Sequence, residues 1–412
     1  MQICSIEWVV CILVLSALFF VAPGLRFRQF IFCACSLGFI STLMPGAAAW
    51  TALGAFVGFG YAAAMTLRRF PRRALLAGYL AVLLAAFLIL KQYSLIKLIL
   101  PSILFERVIA TVGWSYILFR QIQVAVDAAQ GQVEALDFWS YLNYQCNGFC
   151  FVAGPIQRYQ EFCQYWRRLS PILADSESIL KAYLRIFIGA IKISFVAGWF
   201  FTCFKASSGV LADSTQVANA SLLPRLRLFC EVFYSFPLYV YFNFSGYCDM
   251  VIAAASLLGL KIPENFDRPY LSRNMIEFWT RWHRTLGFWI RDYIFTPMYK
   301  ALVGSWPAKA AILGTFCYFA AFFLAGIWHG STWPYVVYGL LNGLGLAAAK
   351  FWETQLVSRI GRSGLRSYLQ DRRIRVAATV ATLNFACLTM FFFASDLDRE
   401  LAILKNTFIH RA

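Results

Sequence analysis

His329 is the residue of this chain best suited to acid–base chemistry. It lies near the middle of forty positions, between Lys309 and Lys350, that contain no Asp, Glu, Lys or Arg. An ionisable group in such a setting is costly and usually faces a polar cavity. Because the pKa of an imidazole lies near neutrality, it can take a proton from a hydroxyl held against it. His329 is therefore a candidate general base, with a buried structural histidine and a metal ligand as alternatives.

Metal binding is the weakest of these three interpretations. The chain has three histidines, one of which, His410, belongs to a polar C-terminal tail. No run of Asp or Glu lies near His329 or His283, so the ligands that metals prefer are missing from the sequence around them. We predict no bound metal.

The residues after His329 predict a break in the helix. Forty helical residues would extend about 60 Å, roughly twice the thickness of the hydrocarbon core, so the stretch predicts two crossings or a crossing and a broken segment. Gly330, Ser331, Thr332, Trp333 and Pro334 follow the histidine and favour the break there. Backbone freed inside a membrane must line a cavity or be buried in protein.

The second candidate, His283, lies in an unusual polar interval, residues 261–309. From Lys261 to Lys300 this interval is dense in both aromatic and charged residues. Its aromatic residues recur at helical intervals of four and seven, which predicts amphipathic helices at the membrane interface; they are Phe278, Trp282, Trp289 and Tyr293. An anchor alone does not need so many polar side chains, which include Asp267, Arg281, His283, Arg291 and Asp292.

The composition indicates a polytopic, all-α membrane protein. Hydrophobic residues make up 60% of the chain and charged residues 14%, against about 25% charged in a soluble domain. The apolar stretches predict about ten or eleven transmembrane helices, some of them re-entrant or interfacial. They cover 8–24, 30–45, 48–66, 74–100, 108–119, 139–154, 182–204, 228–260, 310–328, 331–349 and 376–394.

The arginines of the first loops predict the orientation. Arg26 and Arg28 follow the first apolar stretch, and four more arginines lie within residues 68–73. The positive-inside rule places both groups in the cytoplasm and the N-terminus outside, in a cell membrane. The net charge of +17 is dispersed among loops, so contact with anionic headgroups explains it better than nucleic-acid binding does. With no linker or repeat, we predict one domain over residues 1–412, with N-terminal helices in 1–100.

Several segments between residues 110 and 400 together resemble the membrane-bound O-acyltransferase superfamily. The resemblance is to its bacterial branch of alginate O-acetylases and teichoic-acid D-alanyltransferases. The segments are Gly154-Pro-Ile-x-Arg158-Tyr159, Tyr241-Phe-Asn-Phe-Ser245-Gly-Tyr-Cys-Asp249-Met250, Pro263-Glu-Asn265-Phe-Asp-Arg-Pro-Tyr270, Phe278-Trp-Thr-Arg281-Trp282-His283, Arg291-Asp292-Tyr293 and Trp328-His329-Gly-x-x-Trp333. Asn243 stands where the family commonly has Asp, which argues against a charge-dependent role there.

This resemblance implies a ring of tilted helices around a tunnel through the membrane, with both histidines near its narrowest point. The histidine matching His329 is essential in the family, and the one matching His283 is a second functional residue. His329 would deprotonate an acceptor hydroxyl that attacks an acyl thioester, and His283 would orient, polarise or relay a proton. Candidate oxyanion donors are Trp328, Trp333 and a backbone N–H at Gly330.

Other polar residues in these segments are candidates for lining the tunnel. They are Arg281, Asn265, Ser245, Asp249 and Asp292. Residues 245 and 249 fall on one helical face, and Asp249 is expected to form buried hydrogen bonds that shape the tunnel more than to act as a catalyst.

Two substrate classes compete within the branch. The segment Phe391-Phe-Phe-Ala-Ser-Asp-Leu-Asp and the Ser245 and Pro263 segments resemble the polysaccharide O-acetylases, whereas Ser115-Tyr-x-x-Phe-Arg120 and the short length resemble the D-alanyl branch. We predict transfer of an acetyl group to a cell-surface glycan, with D-alanyl transfer to teichoic acid as the alternative. The donor would be acetyl-CoA or the phosphopantetheine thioester of an acyl-carrier protein.

The resemblance also implies partners, and two other classes of protein remain as alternatives to it. Besides the bilayer and the glycan, an extracytoplasmic partner resembling an acyltransferase or esterase is expected, and no bound cofactor is required. A transporter or channel, with His329 in a proton path, and a scaffold without chemistry of its own are the alternatives from other classes.

Overall fold

The computed structural model describes residues 6–44, 46–90, 113–170, 176–330, 332–394 and 396–409. Every regular element in these ranges is helical, as the sequence predicts. Two π-helical turns, Lys192–Ala197 and Arg291–Phe295, and two 3₁₀ turns, Pro269–Leu271 and Pro307–Lys309, join α-helices. The α-helices are Ile6–Val21, Leu25–Ser41, Gly46–Arg69, Arg73–Leu90, Trp114–Ala129, Phe138–Gln145, Gly148–Phe151, Tyr159–Trp166, Ser176–Ile191, Gly198–Ala212, Ser214–Val217, Leu222–Leu257, Met275–Arg281, Arg284–Ile290, Thr296–Ser305, Ala310–His329, Trp333–Gln370, Arg372–Phe393 and Leu397–Phe408.

Four helical segments within the described ranges are long and apolar enough to cross a membrane. They are Gly46–Arg69, Ser176–Ala212, Pro307–His329 and Arg372–Phe393, and shorter apolar helices cover Val10–Val21 and Arg73–Ile89. The protein is thus a multi-pass, all-α membrane protein. The count of ten or eleven crossings stays a prediction, and the parts of the 74–100 and 108–119 stretches that fall within 91–112 lie outside the described residues.

The chain divides into two compact units. The first comprises 1–190 and 246–264, and the second comprises 191–245 and 265–412. Helix Leu222–Leu257 contributes residues to both units. One domain over 1–412 stays a prediction, as does the ring of helices around a tunnel.

Some helix ends differ from the sequence prediction. The apolar stretch 331–349 forms the start of the helical segment Trp333–Gln370, which continues through the charged residues after Lys350. Gly361 has non-helical angles, φ 67° and ψ 176°, which favour glycine, and a kink there divides the segment into two helices. Charged residues on the surface of a helix do not prevent helix formation. The polar residues after Lys350 therefore end the apolar stretch but do not end the helix.

Glycines set the packing of the helix that ends at His329. This helix, Ala310–His329, packs closely on Trp333–Gln370 in the second unit. A Cβ at Gly326 would overlap the backbone of Gly339, and a Cβ at Gly343 would lie 2.8 Å from the Phe319 carbonyl oxygen. Small residues let the backbones of membrane helices approach, so these glycines fix the position of the helix end.

Candidate active site

His329 is the last residue of its helix, and the predicted break follows it. Gly330 has an extended backbone with φ 178° and ψ 174°, and its N–H donates to the Ile327 carbonyl oxygen at 3.2 Å. The next helix begins at Trp333. The break is confirmed, and the N–H of Gly330, one candidate oxyanion donor, is already engaged within the helix end.

Four aromatic rings surround the His329 imidazole. The nearest is Trp328, with ring centroids 4.6 Å apart, followed by Phe393 at 5.2 Å, Tyr338 at 5.7 Å and Tyr335 at 6.3 Å. The ring planes of Trp328, Phe393 and Tyr338 make angles of 60°, 87° and 86° with the imidazole plane. Such edge-to-face arrangements are favourable between aromatic rings. This environment restrains the orientation of the imidazole at the helix end.

His283 occupies the junction between two short helices, Met275–Arg281 and Arg284–Ile290. Its φ of 42° and ψ of 50° place it in the left-handed region, which non-glycine residues seldom adopt. The seven-residue interval between Trp282 and Trp289 crosses this junction, so the predicted aromatic spacing does not describe one continuous helix. Strained backbone of this kind persists where the surrounding structure holds it, and it clusters at functional sites.

Asn265 fixes the protonated nitrogen of His283. The Asn265 side chain is fully buried, and its Oδ1 accepts hydrogen bonds from the Thr285 backbone N–H at 3.3 Å and from Thr285 Oγ1 at 2.9 Å. The same oxygen lies 3.0 Å from His283 Nδ1. Since that oxygen accepts, His283 Nδ1 must donate, which leaves Nε2 as the basic nitrogen of a neutral imidazole.

The pKa of His283 favours this neutral form. His283 lies outside the four helical segments suited to membrane crossing. Burial, and next the nearby His329, lowers the pKa of His283 from 6.5 to about 3. The ring also meets the edge of Phe244, with centroids 4.9 Å apart, in a contact that excludes water. The two predicted catalytic histidines belong to the same unit.

A buried hydrogen bond links the short helix before His283 to the helix that follows His329. Trp279 Nε1 donates to Asn342 Oδ1 at 3.1 Å, and Asn342 Nδ2 donates to the Tyr338 carbonyl oxygen at 2.9 Å. Trp279 lies four residues before His283, and the ring of Tyr338 contacts His329. The sequence analysis did not select Asn342; a lone amide in the apolar stretch after His329 was the available signal.

The predicted oxyanion donors occupy contrasting environments. The indole Nε1 of Trp328 is buried beside His329. The Trp333 side chain is 71% exposed. Its environment therefore does not support a role as oxyanion donor. Of the two indoles, only Trp328 lies in the aromatic environment of His329.

Arg281 and Asp292 each form an ion pair with a nearby residue. Arg281 Nη2 lies 2.7 Å from Glu277 Oε1, one helical turn earlier. Asp292 pairs with the adjacent Arg291 at 2.7 Å, at the start of the π-helical turn Arg291–Phe295. These pairs account for part of the charge density in the 261–309 interval.

Ser245 and Asp249 share a helix but belong to different units. Ser245 is buried, and its Oγ has no hydrogen-bond partner among the described residues. Asp249 accepts from Arg185 at 2.9 Å, and the same guanidinium also binds Glu264 through two contacts of 2.6 Å. Arg185 comes from a distant helix, and nothing in the local pattern predicts this network.

The geometry defines an integral membrane protein whose candidate acid–base pair is built from histidines at helix ends. The sequence model of the MBOAT, membrane-bound O-acyltransferase, family matches residues 90–390. This match covers most of the chain, so the chain belongs to that family and is an O-acyltransferase. Family membership sets aside the transporter and scaffold alternatives.

Similar proteins come from both predicted subfamilies. Teichoic acid D-alanyltransferase of Streptococcus thermophilus is 26% identical over 69% of this chain and 68% of its own length. A probable alginate O-acetylase of Pseudomonas syringae pv. tomato is 27% identical over 61% of this chain and 45% of its own. Peptidoglycan O-acetyltransferase of Helicobacter pylori is 34% identical over 42% of this chain and 30% of its own.

Proposed function

We propose that the protein transfers a short acyl group, acetyl, from a cytosolic thioester to a hydroxyl of an envelope polysaccharide, with His329 as the general base. The observation that carries this proposal is the position of His329 at a helix break, in the same unit as a second histidine whose tautomer is fixed. Relatives that acetylate alginate and peptidoglycan support a polysaccharide acceptor.

The proposed reaction begins with proton transfer. A nitrogen of His329 takes the proton of the acceptor hydroxyl as its oxygen attacks the thioester carbonyl carbon. The C–S bond of the tetrahedral intermediate then breaks, and the leaving thiolate receives the proton from the imidazolium. Because the thioester is already activated, the protein mainly has to hold the reactants together and stabilise the developing oxyanion.

The other residues of the site have supporting roles in this proposal. Neutral His283 orients the acceptor or relays a proton through Nε2, which the Asn265 hydrogen bond leaves unprotonated. The Trp328 indole is the proposed oxyanion donor, since the Gly330 N–H is engaged in the helix end. Arg281, Ser245, Asp249 and Asp292 are proposed to line or shape the substrate path.

D-alanyl transfer to teichoic acid is the second candidate. The three D-alanyltransferases are matched over 68 to 71% of their lengths, against 45 to 47% for the alginate O-acetylases of Pseudomonas. A carrier-protein thioester would then replace acetyl-CoA as the donor. Both candidates use the same attack on a thioester and differ in the donor and acceptor.

The proposed location is the cytoplasmic membrane, with the N-terminus outside and the thioester on the cytoplasmic side. The arginines at 26, 28 and 68–73 support this orientation through the positive-inside rule. An extracytoplasmic acyltransferase-like or esterase-like protein is the proposed partner on the outer side of the membrane.

The test compares wild type, His329→Ala and His283→Ala in cells that lack the native gene. Mild alkali releases esters from the purified envelope polymer, and acetate and D-alanine are quantified separately. We expect His329→Ala to reduce the ester at least about 100-fold at equal protein abundance, because general-base catalysis contributes about 10²–10⁴-fold. Thr315→Val, on the same helix, is the matched control.

Each outcome of this experiment has a defined meaning. Normal ester content in His329→Ala would refute the general-base role. Full activity of His283→Ala would reduce His283 to a structural residue. Loss of D-alanine with unchanged acetate would establish the second candidate in place of the first.

A further inference from the structure

A polar cavity of about 640 Å³ lies in the first unit. Helix Tyr159–Trp166, the arginines that follow it and the loop before helix Phe138–Gln145 form its walls. Polar and charged side chains dominate this lining and include Gln132, Glu134, Gln164, Tyr165, Arg167 and Arg168. These residues take no part in the proposed acyl transfer.

Buried hydrogen bonds hold one wall of the cavity in place. The lining residue Gln160 donates through Nε2 to Asp127 Oδ2 at 2.8 Å, and Gln123 donates to the same oxygen at 2.7 Å. Gln123 also accepts the backbone N–H of Tyr159 at 3.1 Å, which ties the start of the helix to this cluster. The wall is therefore preformed and needs no rearrangement to receive a ligand.

Two contacts place the cavity on the predicted cytoplasmic side. Arg28 Nη1 donates to the Leu169 carbonyl oxygen at 3.4 Å, next to Arg168. Arg68 donates to the Glu134 carbonyl oxygen on the opposite wall. Both Arg28 and Arg68 belong to the arginine groups that the positive-inside rule assigns to the cytoplasm. The opposite walls thus contact two different helices, each through an arginine of the predicted cytoplasmic side.

The helix that forms the wall is amphipathic and is anchored in the core of the first unit. It buries Tyr159, Phe162 and Trp166, and it exposes Glu161 and Gln164. The Trp166 ring packs on Phe32 with ring centroids 5.5 Å apart. The polar face of the helix is therefore the one that borders the cavity.

Arg167 and Arg168 supply the charge of the cavity. Both side chains are exposed, and among the described residues neither guanidinium forms an ion pair. Glu134 is the acidic residue of the lining, so the lining carries a net positive charge. Guanidinium groups bind phosphate through paired hydrogen bonds, and basic pockets on the cytoplasmic side of membranes suit anionic headgroups.

We propose that this cavity binds the phosphate of an anionic membrane phospholipid through Arg167 and Arg168. The amide of Gln164, which also lines the cavity, would hydrogen-bond the glycerol or phosphate oxygens. A soluble phosphate compound would present the same chemistry, but Arg28 and Arg68, which contact the cavity walls and belong to the predicted cytoplasmic ends of membrane helices, favour a lipid source.

The test measures lipid retention by the purified full-length protein with native mass spectrometry. The protein in detergent is titrated with phosphatidylglycerol, with phosphatidylcholine and, in a separate arm, with inorganic phosphate. The variant is Arg167→Gln combined with Arg168→Gln. Arg359→Gln combined with Arg362→Gln is the charge-matched control, since both of these arginines are exposed and lie in the other unit.

We expect wild type and control to bind phosphatidylglycerol in preference to phosphatidylcholine. The Arg167/Arg168 variant should bind phosphatidylglycerol at least about tenfold more weakly, because each charge-assisted hydrogen bond contributes about a factor of ten or more. Phosphate binding that requires Arg167 and Arg168, without selectivity between the two lipids, would overturn the lipid source. Equal phosphatidylglycerol binding by the variant and the control would overturn the site. The comparison of phosphatidylglycerol with phosphatidylcholine uses the wild-type protein alone, so it tests the preference for an anionic lipid even if the variant fails to fold.

Discussion

Asn265 determines the tautomer of His283 through a single oxygen that accepts from three donors. The Nδ1–H of His283 and both polar groups of Thr285 point to Asn265 Oδ1. An apolar residue at 265 would free His283 to take the other tautomer and would leave buried donors without an acceptor. Asn265 is therefore a positioning residue for His283 in the proposed mechanism.

We predict that Asn265→Leu lowers kcat about 10- to 100-fold, an effect typical of residues that orient a catalytic side chain. The free energy of unfolding should also fall by about 1–3 kcal/mol, because buried donors lose their acceptor. Thr285→Val is the control, since it removes one hydrogen bond to Asn265 but keeps the one from His283. Equal turnover of these two variants in an acyl-transfer assay would contradict the prediction.

The short helices around His283 are tied to the helix that follows His329. The Trp279–Asn342 hydrogen bond connects helix Met275–Arg281 to helix Trp333–Gln370. A Cβ at Gly287 would lie 2.6 Å from the Trp279 carbonyl oxygen, so the helix after His283 also packs directly on Trp279. The relative position of the two histidines thus depends on Trp279.

We predict that the effects of Trp279→Phe and Asn342→Leu are strongly non-additive. Trp279→Phe removes the indole N–H, and Asn342→Leu removes its acceptor, so the double variant loses the same hydrogen bond only once. The coupling free energy in thermal unfolding should be about 1 kcal/mol. The same cycle applied to kcat should show coupling if the link positions the histidines; strict additivity in both measurements would argue against it.

At the scale of the whole molecule, buried His283 makes stability depend on pH. Its pKa is lowered to about 3 in the folded state from 6.5, so the unfolded chain binds more protons between these values. The stabilising contribution of a neutral His283 is complete above the unfolded pKa and declines as pH falls towards the folded pKa. Acid should therefore favour unfolding.

We predict that the wild-type protein loses about 2 kcal/mol of stability through His283 between about pH 7 and about pH 5. His283→Gln removes the titrating group, so its unfolding temperature should fall less over the same interval. The measurement is thermal unfolding of both purified proteins in detergent at the two pH values. Parallel declines in the two proteins would show that His283 does not cause the acid sensitivity.

Local sequence signals were sufficient for several features. Forty uncharged residues can only be stabilised by burial in lipid or protein, so the apolar helix before His329 was predictable. The break after His329 was also predictable, because Gly330 and Pro334 act on the backbone at their own positions. The family resemblance rested on short segments of the same kind and is confirmed by the match over residues 90–390.

Only the tertiary structure decided which side chains meet. Asn265 lies 18 residues from His283, Asn342 lies 63 residues from Trp279, and Glu264 lies 79 residues from Arg185. Such pairs depend on how separate helices pack, and packing depends on close approaches such as that of Gly326 to Gly339. The sequence by itself determined the membrane-embedded helices, the break and the family, since these follow from local hydrophobicity, backbone preference and motif. The fixed tautomer of His283 and the charge network of Asp249 required the fold, because no local pattern encodes a contact between distant residues.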